Sequence, residues 1–334
     1  MRRKKRNFEK KLITSERAEE LIGEGWRRAD LHVHTTCFFD VLPARNLHPE
    51  SLYEKALGMG MDYITFTDHN TIGAYEILGW DQENLISGVE MSVADPKFAG
   101  HELHVNVFEL DREDFFELRE IAEIERDLKS FVRYLKNRGL PFMYNHPFWF
   151  DFHQEPQPST VLRLAKFFPV LEYNMHELKK KNELTLALAE RFDKGVAATT
   201  DTHSGKLGQV YTLAKGDNFR KFFRNIQNGK SYIVTEDLTR ELLIDEMNTW
   251  IDLIFEKSQR SMGIKNYLTG IKSLDAMVRI SRSSLLNCSP ILNRTAMSLL
   301  YMISNTGLPA SFYLYSKENI LKEIVKKIEI GKQK

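Results

Sequence analysis

The sequence is poor in cysteine, in net charge and in long apolar stretches. Only two cysteines, Cys37 and Cys288, occur among 334 residues, which excludes a disulfide framework and favours a reducing compartment. Forty-seven Lys and Arg oppose 46 Asp and Glu, a balance atypical of proteins that bind long duplex nucleic acid. No apolar stretch approaches the ~18 residues of a membrane span, and the basic start resembles no secretory signal. We therefore expect a soluble, cytoplasmic protein with neither membrane nor long-duplex partners.

Histidine is confined to one part of the chain. All ten histidines lie between His32 and His203, and none follows. Catalytic or metal-binding residues are therefore expected in this part of the sequence.

Short apolar runs alternate with helical patterns from residue 29 to about 235. Strands are predicted at 29–35, 62–67, 84–92, 102–109, 140–145, 169–174, 195–200 and 231–234. Residues 49–59 and 113–138 have the apolar spacing of helices. This alternation predicts parallel strands joined by crossovers, which is an α/β fold. The number of units in about 200 residues favours a small barrel over an open sheet.

The pattern changes after Thr235. Apolar residues recur at helical spacing from Leu243 to Phe255 and again from Ile264 to Val278, and residues 320–330 are amphipathic. We predict an all-helical C-terminal extension whose apolar stripes are packed core or a contact of a homo-oligomer. The predicted division is a basic N-terminal extension at 1–28, a barrel at 29–237 and a helical appendage at 238–334.

Histidine and acidic residues cluster at the ends of five predicted strands. The motifs are Asp30-Leu-His32-Val-His34, Thr67-Asp68-His69, Gly88-Val-Glu90, Asn145-His146-Pro147 and Asp201-Thr-His203. A His-x-His pair on a strand places both imidazoles on one face, and imidazole with carboxylate is a ligand set for divalent metals. Each motif alone is equally compatible with a buried hydrogen-bonded histidine or a turn cap. Their combination favours a single cleft at the carboxyl edge of the strands, where barrels collect catalytic residues.

These segments resemble the polymerase and histidinol phosphatase (PHP) family. The resemblance runs from Trp26 to about Glu236. It rests on WRRADLHVHTT, MGMDYITFTDHNTIGA, ISGVEMS, the strand with His104, YNHP and TTDTHSG, in the order of the family. It implies a distorted (β/α)7 TIM-like barrel, two or three divalent metal ions (Zn, Mn or Fe) and phosphoesterase activity.

The resemblance also implies three metal sites. The first would consist of His32, His34, Glu90 and Asp201. Glu90 would bridge to a second site, which His104 and His146 complete. The third would consist of Asp40, His69 and His203.

Further residues are candidates for supporting roles. Asp30 and Asp68 are expected to orient neighbouring imidazoles, with backbone capping as the alternative. Asn174 and His176 are expected to line the pocket. Lys206 and Arg45 are candidates for binding a phosphate oxygen, with a solvated surface charge as the alternative.

The predicted reaction is hydrolysis of a P–O bond by metal-bound hydroxide, because cations lower the pKa of bound water from about 15.7 towards about 7. No Gly-x-Ser-x-Gly pattern supplies a serine nucleophile. Asp201, His203 and His69 are the predicted catalytic residues. The acid for the leaving group would be a metal-bound water, or either histidine when it is not a metal ligand.

The predicted substrate is a small phosphorylated metabolite or a nucleotide. An exonuclease acting on short oligonucleotides is one alternative. A C–N metallohydrolase is a second, although no lysine ends a predicted strand. The third is a catalytically silent, metal-stabilised binding or scaffold domain, because fold alone does not determine function.

Overall fold

The strands of the protein form two sheets. The computed structural model describes residues 8–150, 158–255, 279–280 and 289–332. The strands are β1 Arg27–Asp30, β2 Tyr63–Ile64, β3 Gly88–Ala94, β4 Glu102–Phe108, β5 Phe142–Tyr144, β6 Val170–Asn174, β7 Gly195–Thr199, β8 Tyr211–Ala214 and β9 Ser231–Val234. One sheet has the order β2-β1-β8-β9, and the other has the order β3-β4-β5-β6-β7.

Helices connect and flank these strands. They are α1 Ser15–Gly23, α2 Pro49–Gly58, α3 Gly73–Leu78, α4 Arg112–Arg119, α5 Leu128–Arg138, α6 Pro158–Leu164, α7 Lys179–Phe192, α8 Phe219–Gln227, α9 Arg240–Phe255, α10 Pro290–Asn305 and α11 Leu308–Lys332. The single helix predicted at 113–138 is wrong, because a π-helical turn and a break separate α4 from α5. Arg126 has a left-handed φ of 54°, and Asp127 then caps α5 by accepting from the amides of Lys129 and Ser130.

The mixed α/β prediction is confirmed, but parallel pairing holds for only part of it. The pairs β1–β2, β5–β6 and β6–β7 are parallel, whereas β3–β4 and β4–β5 are antiparallel. Residues 95–101, which connect β3 to β4, are too few for a crossover helix. Strand β8, which the sequence pattern does not predict, pairs antiparallel with both β1 and β9.

A closed barrel is not confirmed, because the two sheets share no continuous ladder in the described residues. Isolated bridges occur where the sheets meet. Val33 pairs with Thr202 on one side, and His69 pairs with Glu90 on the other.

A compact apolar cluster lies at the ends of the strands remote from the histidine motifs. Four side chains of α8 form its centre, namely Phe219, Phe222, Phe223 and Ile226. They pack against residues of both sheets, including Ala29, Phe108 and Ala197. The two sheets therefore share one core at this end, although their hydrogen-bonded ladders are separate.

The C-terminal helices pack on the rest of the chain. Buried side chains of α9 form a cluster with residues 41–47, the segment that follows Asp40. Ile324 of α11 is buried in the main core, where Leu314 and Leu321 also pack. The predicted stripe from Ile264 to Val278 and Cys288 lie outside the described residues. Among the described helices, none has the length and apolar character needed to cross a bilayer.

We expect Ile251→Ala to destabilise the protein by about 2–5 kcal/mol, because it leaves a cavity between α9 and residues 41–47. Ile251 is 2% exposed. The same substitution at Ile291 of α10, which is 76% exposed, should change stability by about 0.5 kcal/mol or less. The measurement is the urea midpoint of both variants. Equal midpoints would contradict the packing of α9 on this segment.

Candidate metal centre

Nine titratable side chains meet where the two sheets adjoin. They are the nine residues expected from the sequence as metal ligands, namely His32, His34, Asp40, His69, Glu90, His104, His146, Asp201 and His203. Three overlapping groups among them have ligand atoms within 4.8 Å of one another. These groups are His34–Asp40–His69–His203, His32–His34–Glu90 and His69–Glu90–His104.

Backbone hydrogen bonds bring the contributing segments together. The amide of Asp201 donates to the carbonyl of His32 at 2.9 Å, and the amide of His34 donates to the carbonyl of Thr202 at 3.2 Å. These bonds join the segments that follow β1 and β7. On the other side, the amide of Asn70 donates to the carbonyl of Glu90 at 2.8 Å.

Two of the nine residues have a backbone conformation that is rare for residues other than glycine. His146 has φ of 26° and Asp201 has φ of 50°. Such conformations carry strain and persist where the surrounding structure enforces them, commonly at functional sites. Here both residues lie two positions after the end of a strand, β5 or β7, and contribute a side chain to the cluster.

Glu90 is the central residue of the cluster and is fully buried. Its Oε2 lies 3.0 Å from His32 Nε2 and 3.1 Å from His69 Nδ1. Its Oε1 lies 3.2 Å from His104 Nδ1 and 3.3 Å from His146 Nε2. Oε2 also lies 3.3 Å from His34 Nε2. Each carboxylate oxygen therefore faces a different set of imidazoles, which is the arrangement of a bridging carboxylate.

Asp201 and Asp40 are the other two carboxylates of the cluster. Asp201 Oδ1 lies 3.1 Å from His34 Nε2 and 3.3 Å from His32 Nε2. Asp40 Oδ2 lies 3.0 Å from His203 Nε2 and 3.3 Å from His69 Nε2. A carboxylate thus lies between two imidazoles at both places.

The electrostatics of the cluster favour positive charge at its centre. Burial raises the pKa of Glu90, but the neighbouring imidazoles of His32, His69 and His104 outweigh it and hold that pKa well below the usual value. Burial lowers the pKa of His32, yet Asp201, Glu90 and Glu172 raise it well above the usual value. Burial also lowers the pKa of His69, and there it outweighs Glu90 and Asp40. The surroundings therefore favour the protonated form of His32 and disfavour the protonated form of His69.

The donor set fits divalent cations. His32 Nε2 and His34 Nε2 lie 3.0 Å apart, so at most one proton can be shared between two facing ring nitrogens. The buried atom Asp40 Oδ1 has no hydrogen-bond partner among the described residues, which is costly for a buried polar atom. Imidazole and carboxylate together suit Zn, Mn and Fe. A cation between these atoms would satisfy them without further protons.

Glu172 of β6 is the residue that sequence reasoning missed. It is fully buried, and its Oε1 lies 2.6 Å from His32 Nδ1. Its Oε2 accepts from the amide of His146 at 2.6 Å, and its Oε1 also accepts from Thr199 Oγ1 at 2.6 Å. Glu172 therefore fixes the His32 ring so that Nε2 faces the cluster. The sequence signal for Glu172 is a charged residue within an otherwise apolar strand, which indicates a buried carboxylate.

Asn174 lies two residues further along the same strand, on the same face. Its Nδ2 donates to Asp201 Oδ2 at 2.9 Å. Asn174 thus holds the oxygen of Asp201 that does not face His34, which supports its expected place at the pocket.

Asp30 and Asp68 bind backbone and threonine groups. Asp30 Oδ1 accepts from the amides of His32 and Thr200, at 3.3 and 3.1 Å. Asp68 Oδ1 accepts from the amide of Thr35 at 2.6 Å. Burial raises the pKa of Asp30 to about 7, although hydrogen bonds from Thr200 oppose it. Both aspartates therefore fix the chain beside His32 and His34, the alternative that the sequence left open.

The two predicted phosphate-binding residues differ in their surroundings. Lys206 Nζ lies 2.5 Å from Asp245 Oδ2 and 3.2 Å from Glu246 Oε1, both on α9. Arg45 is exposed in the 3-10 turn Arg45–Leu47. The charge of Lys206 is therefore balanced by α9, whereas Arg45 is exposed to solvent. Phosphate binding by either residue stays a prediction.

No protein-family model and no curated protein matches this sequence. Solved structures to which the chain is similar include a two-domain protein containing a predicted PHP-like metal-dependent phosphoesterase from Bacteroides vulgatus. The identity is 17%, 66% of this chain and 69% of that chain are covered, and the TM-score is 0.44. PsfC from Pseudomonas syringae is 15% identical over 64% of this chain and 92% of that chain, with a TM-score of 0.46. The lesion-specific endonuclease PfuEndoQ from Pyrococcus furiosus is 16% identical over 62% of this chain and 57% of that chain, with a TM-score of 0.43.

A PHP-like protein is thus among the structures that this chain resembles, as its motifs indicate. The chemistry assigned to the cluster rests on the side chains described above and not on these similarities.

We expect Glu172→Gln to weaken metal binding about 10- to 100-fold, because the His32 ring loses its buried carboxylate partner. A competition titration with a zinc chelator measures the affinity. Glu183→Gln is the matched control, since Glu183 pairs with Lys180 on the exposed side of α7. Wild-type affinity in the Glu172 variant would contradict the orienting role.

Proposed function

We propose that the protein is a metal-dependent phosphoesterase that hydrolyses a P–O bond of a small phosphorylated metabolite or a nucleotide. The observation that supports this function is the buried Glu90 carboxylate, whose two oxygens face different sets of imidazoles. Such a carboxylate can be shared by two cations, and paired cations are suited to in-line displacement at phosphorus.

We propose three metal sites within the cluster. His32, His34, Glu90 and Asp201 would hold the first ion. Glu90, His104 and His146 would hold the second. Asp40, His69 and His203 would hold the third. When bound, Zn, Mn or Fe ions would supply hydroxide at neutral pH and neutralise phosphate oxygens.

Residues of the chain would position the substrate and move the proton. His203 has the most exposed side chain of the nine, at 28%, and is therefore the most accessible to a leaving group. Its Nδ1 lies 3.1 Å from the carbonyl oxygen of Asp201, and its Nε2 lies 3.0 Å from Asp40 Oδ2. When the third site holds no ion, we propose His203 as the general acid that protonates the leaving oxygen. His69 is the second candidate, with a side chain 16% exposed.

We propose that the chain divides into three regions. Residues 29–237 would form the catalytic unit, with β1 to β7 as a distorted seven-stranded barrel. Single bridges at both places where the sheets meet support this arrangement. Residues 238–334 would form a helical appendage, and residues 1–28 an N-terminal extension of which Phe8 and Leu21 are buried in the core.

We expect protein loaded with Mn or Zn to hydrolyse a chromogenic phosphate monoester, and Asp201→Asn to reduce kcat about 100-fold or more. The asparagine keeps the shape of Asp201 but removes the charge that binds a cation. Asp217→Asn is the matched control, because Asp217 is exposed and contacts Asn218 and Lys221 at the start of α8. Removal of the metal by a chelator should abolish turnover, and its return should restore it.

A paired chromogenic diester separates the alternatives. Turnover of the diester alone would favour the exonuclease. Failure to hydrolyse either ester, in protein shown to hold at least two metal ions, would contradict the proposed function and favour the silent binding domain.

A further inference from the structure

The C-terminal helix α11 places a lysine beside the cluster. Lys317 Nζ lies 3.8 Å from Glu177 Oε1, and the Lys317 side chain is only 16% exposed. Glu177 follows β6 closely, three residues after Asn174, whose amide holds Asp201. Lys317 therefore reaches the carboxyl edge of β6, where the candidate metal ligands lie.

Glu177 already has a closer partner. Lys181 Nζ, in the first turn of α7, lies 2.7 Å from Glu177 Oε2, and these two side chains are 4% and 6% exposed. The distance of 3.8 Å to Lys317 exceeds that of a hydrogen bond. One carboxylate thus lies near two ammonium groups. Glu177 forms a hydrogen bond with Lys181 but not with Lys317.

Lys317 stays cationic in this position. Burial lowers its pKa, but Glu177, the phenol of Tyr313 and Asp201 together raise the pKa above the usual value. The Nζ atom lies 5.5 Å from the centre of the Tyr313 ring. The Tyr313 hydroxyl accepts a hydrogen bond from this ammonium. An ammonium has three donors, so Lys317 keeps donors for a further anionic ligand.

We propose that Lys317 binds an anionic phosphate oxygen of the substrate. This inference rests on the function proposed above. Helix α11 would then take part in substrate binding, because it carries Lys317. Lysine is well suited to the task, because its ammonium binds phosphate as a point charge.

A purely structural role for Lys317 makes a different prediction. If Lys317 only fixes α11 to Glu177, then removal of either partner should have the same effect. If Lys317 binds phosphate, removal of Glu177 frees the ammonium and should leave phosphate binding unchanged or make it tighter. The variants Lys317→Gln and Glu177→Gln therefore separate the two roles by the sign of their effects.

The experiment uses the full-length, metal-loaded protein and inorganic phosphate as the probe. Calorimetry gives the Kd for phosphate, and monoester hydrolysis gives KM, kcat and the inhibition constant of phosphate. We expect Lys317→Gln to raise Kd and KM about tenfold, as for loss of one charged hydrogen bond, with kcat changed less. Lys317→Arg should restore most of the binding. Lys326→Gln, which removes an exposed lysine of the same helix, should match the wild type.

Three outcomes would overturn the inference. These are wild-type protein that does not bind phosphate, an unchanged Kd in a Lys317→Gln variant with wild-type melting temperature, and equal weakening by Lys317→Gln and Glu177→Gln. Phosphate binding that depends on Lys317, in a protein that hydrolyses neither ester, would instead support the inference and refute the proposed function.

Discussion

The burial of the Glu90 carboxylate among imidazoles is the constraint on which the rest of the structure depends. A fully buried carboxylate is costly unless cationic or donor groups surround it. Here the imidazoles hold the pKa of Glu90 well below its usual value despite burial. The same imidazoles face one another closely, with two ring nitrogens 3.0 Å apart. The arrangement is best balanced by cations, and we interpret the surrounding fold as the scaffold that holds it.

Each part of the fold supports this centre in a distinct way. The two sheets meet through single bridges at His69 and Val33, so their junctions coincide with the cluster. The phenylalanines of α8 pack at the remote ends of the strands, where both sheets share a core. At the cluster itself, α9 packs on the segment after Asp40, and α11 brings Lys317 close to Glu177. The C-terminal helices are thus adjacent to the candidate site and not remote from it.

The sequence predicts the residues that meet in the cluster better than it predicts their supports. The pairs His32-x-His34 and Asp201-x-His203 are recognisable because side chains two apart on an extended strand share a face. Glu172 escapes notice because a single glutamate in a strand has no partner in the local sequence. Three of its hydrogen-bond donors come from β7 and from the segments after β1 and β5. Lys317 escapes for the same reason, since its position depends on how α11 packs. The strand β8 is four residues long and lacks a clear alternation, so its pairing with β1 and β9 is a tertiary effect.

The most direct test of the central claim is anomalous X-ray diffraction from crystals of the metal-loaded protein, recorded on both sides of the absorption edge of the metal. The account predicts two separate anomalous peaks, one facing each carboxylate oxygen of Glu90, and further density near Asp40 where the third site is filled. A single peak remote from Glu90, or no peak in protein saturated with Zn or Mn, would contradict the bridging role of Glu90.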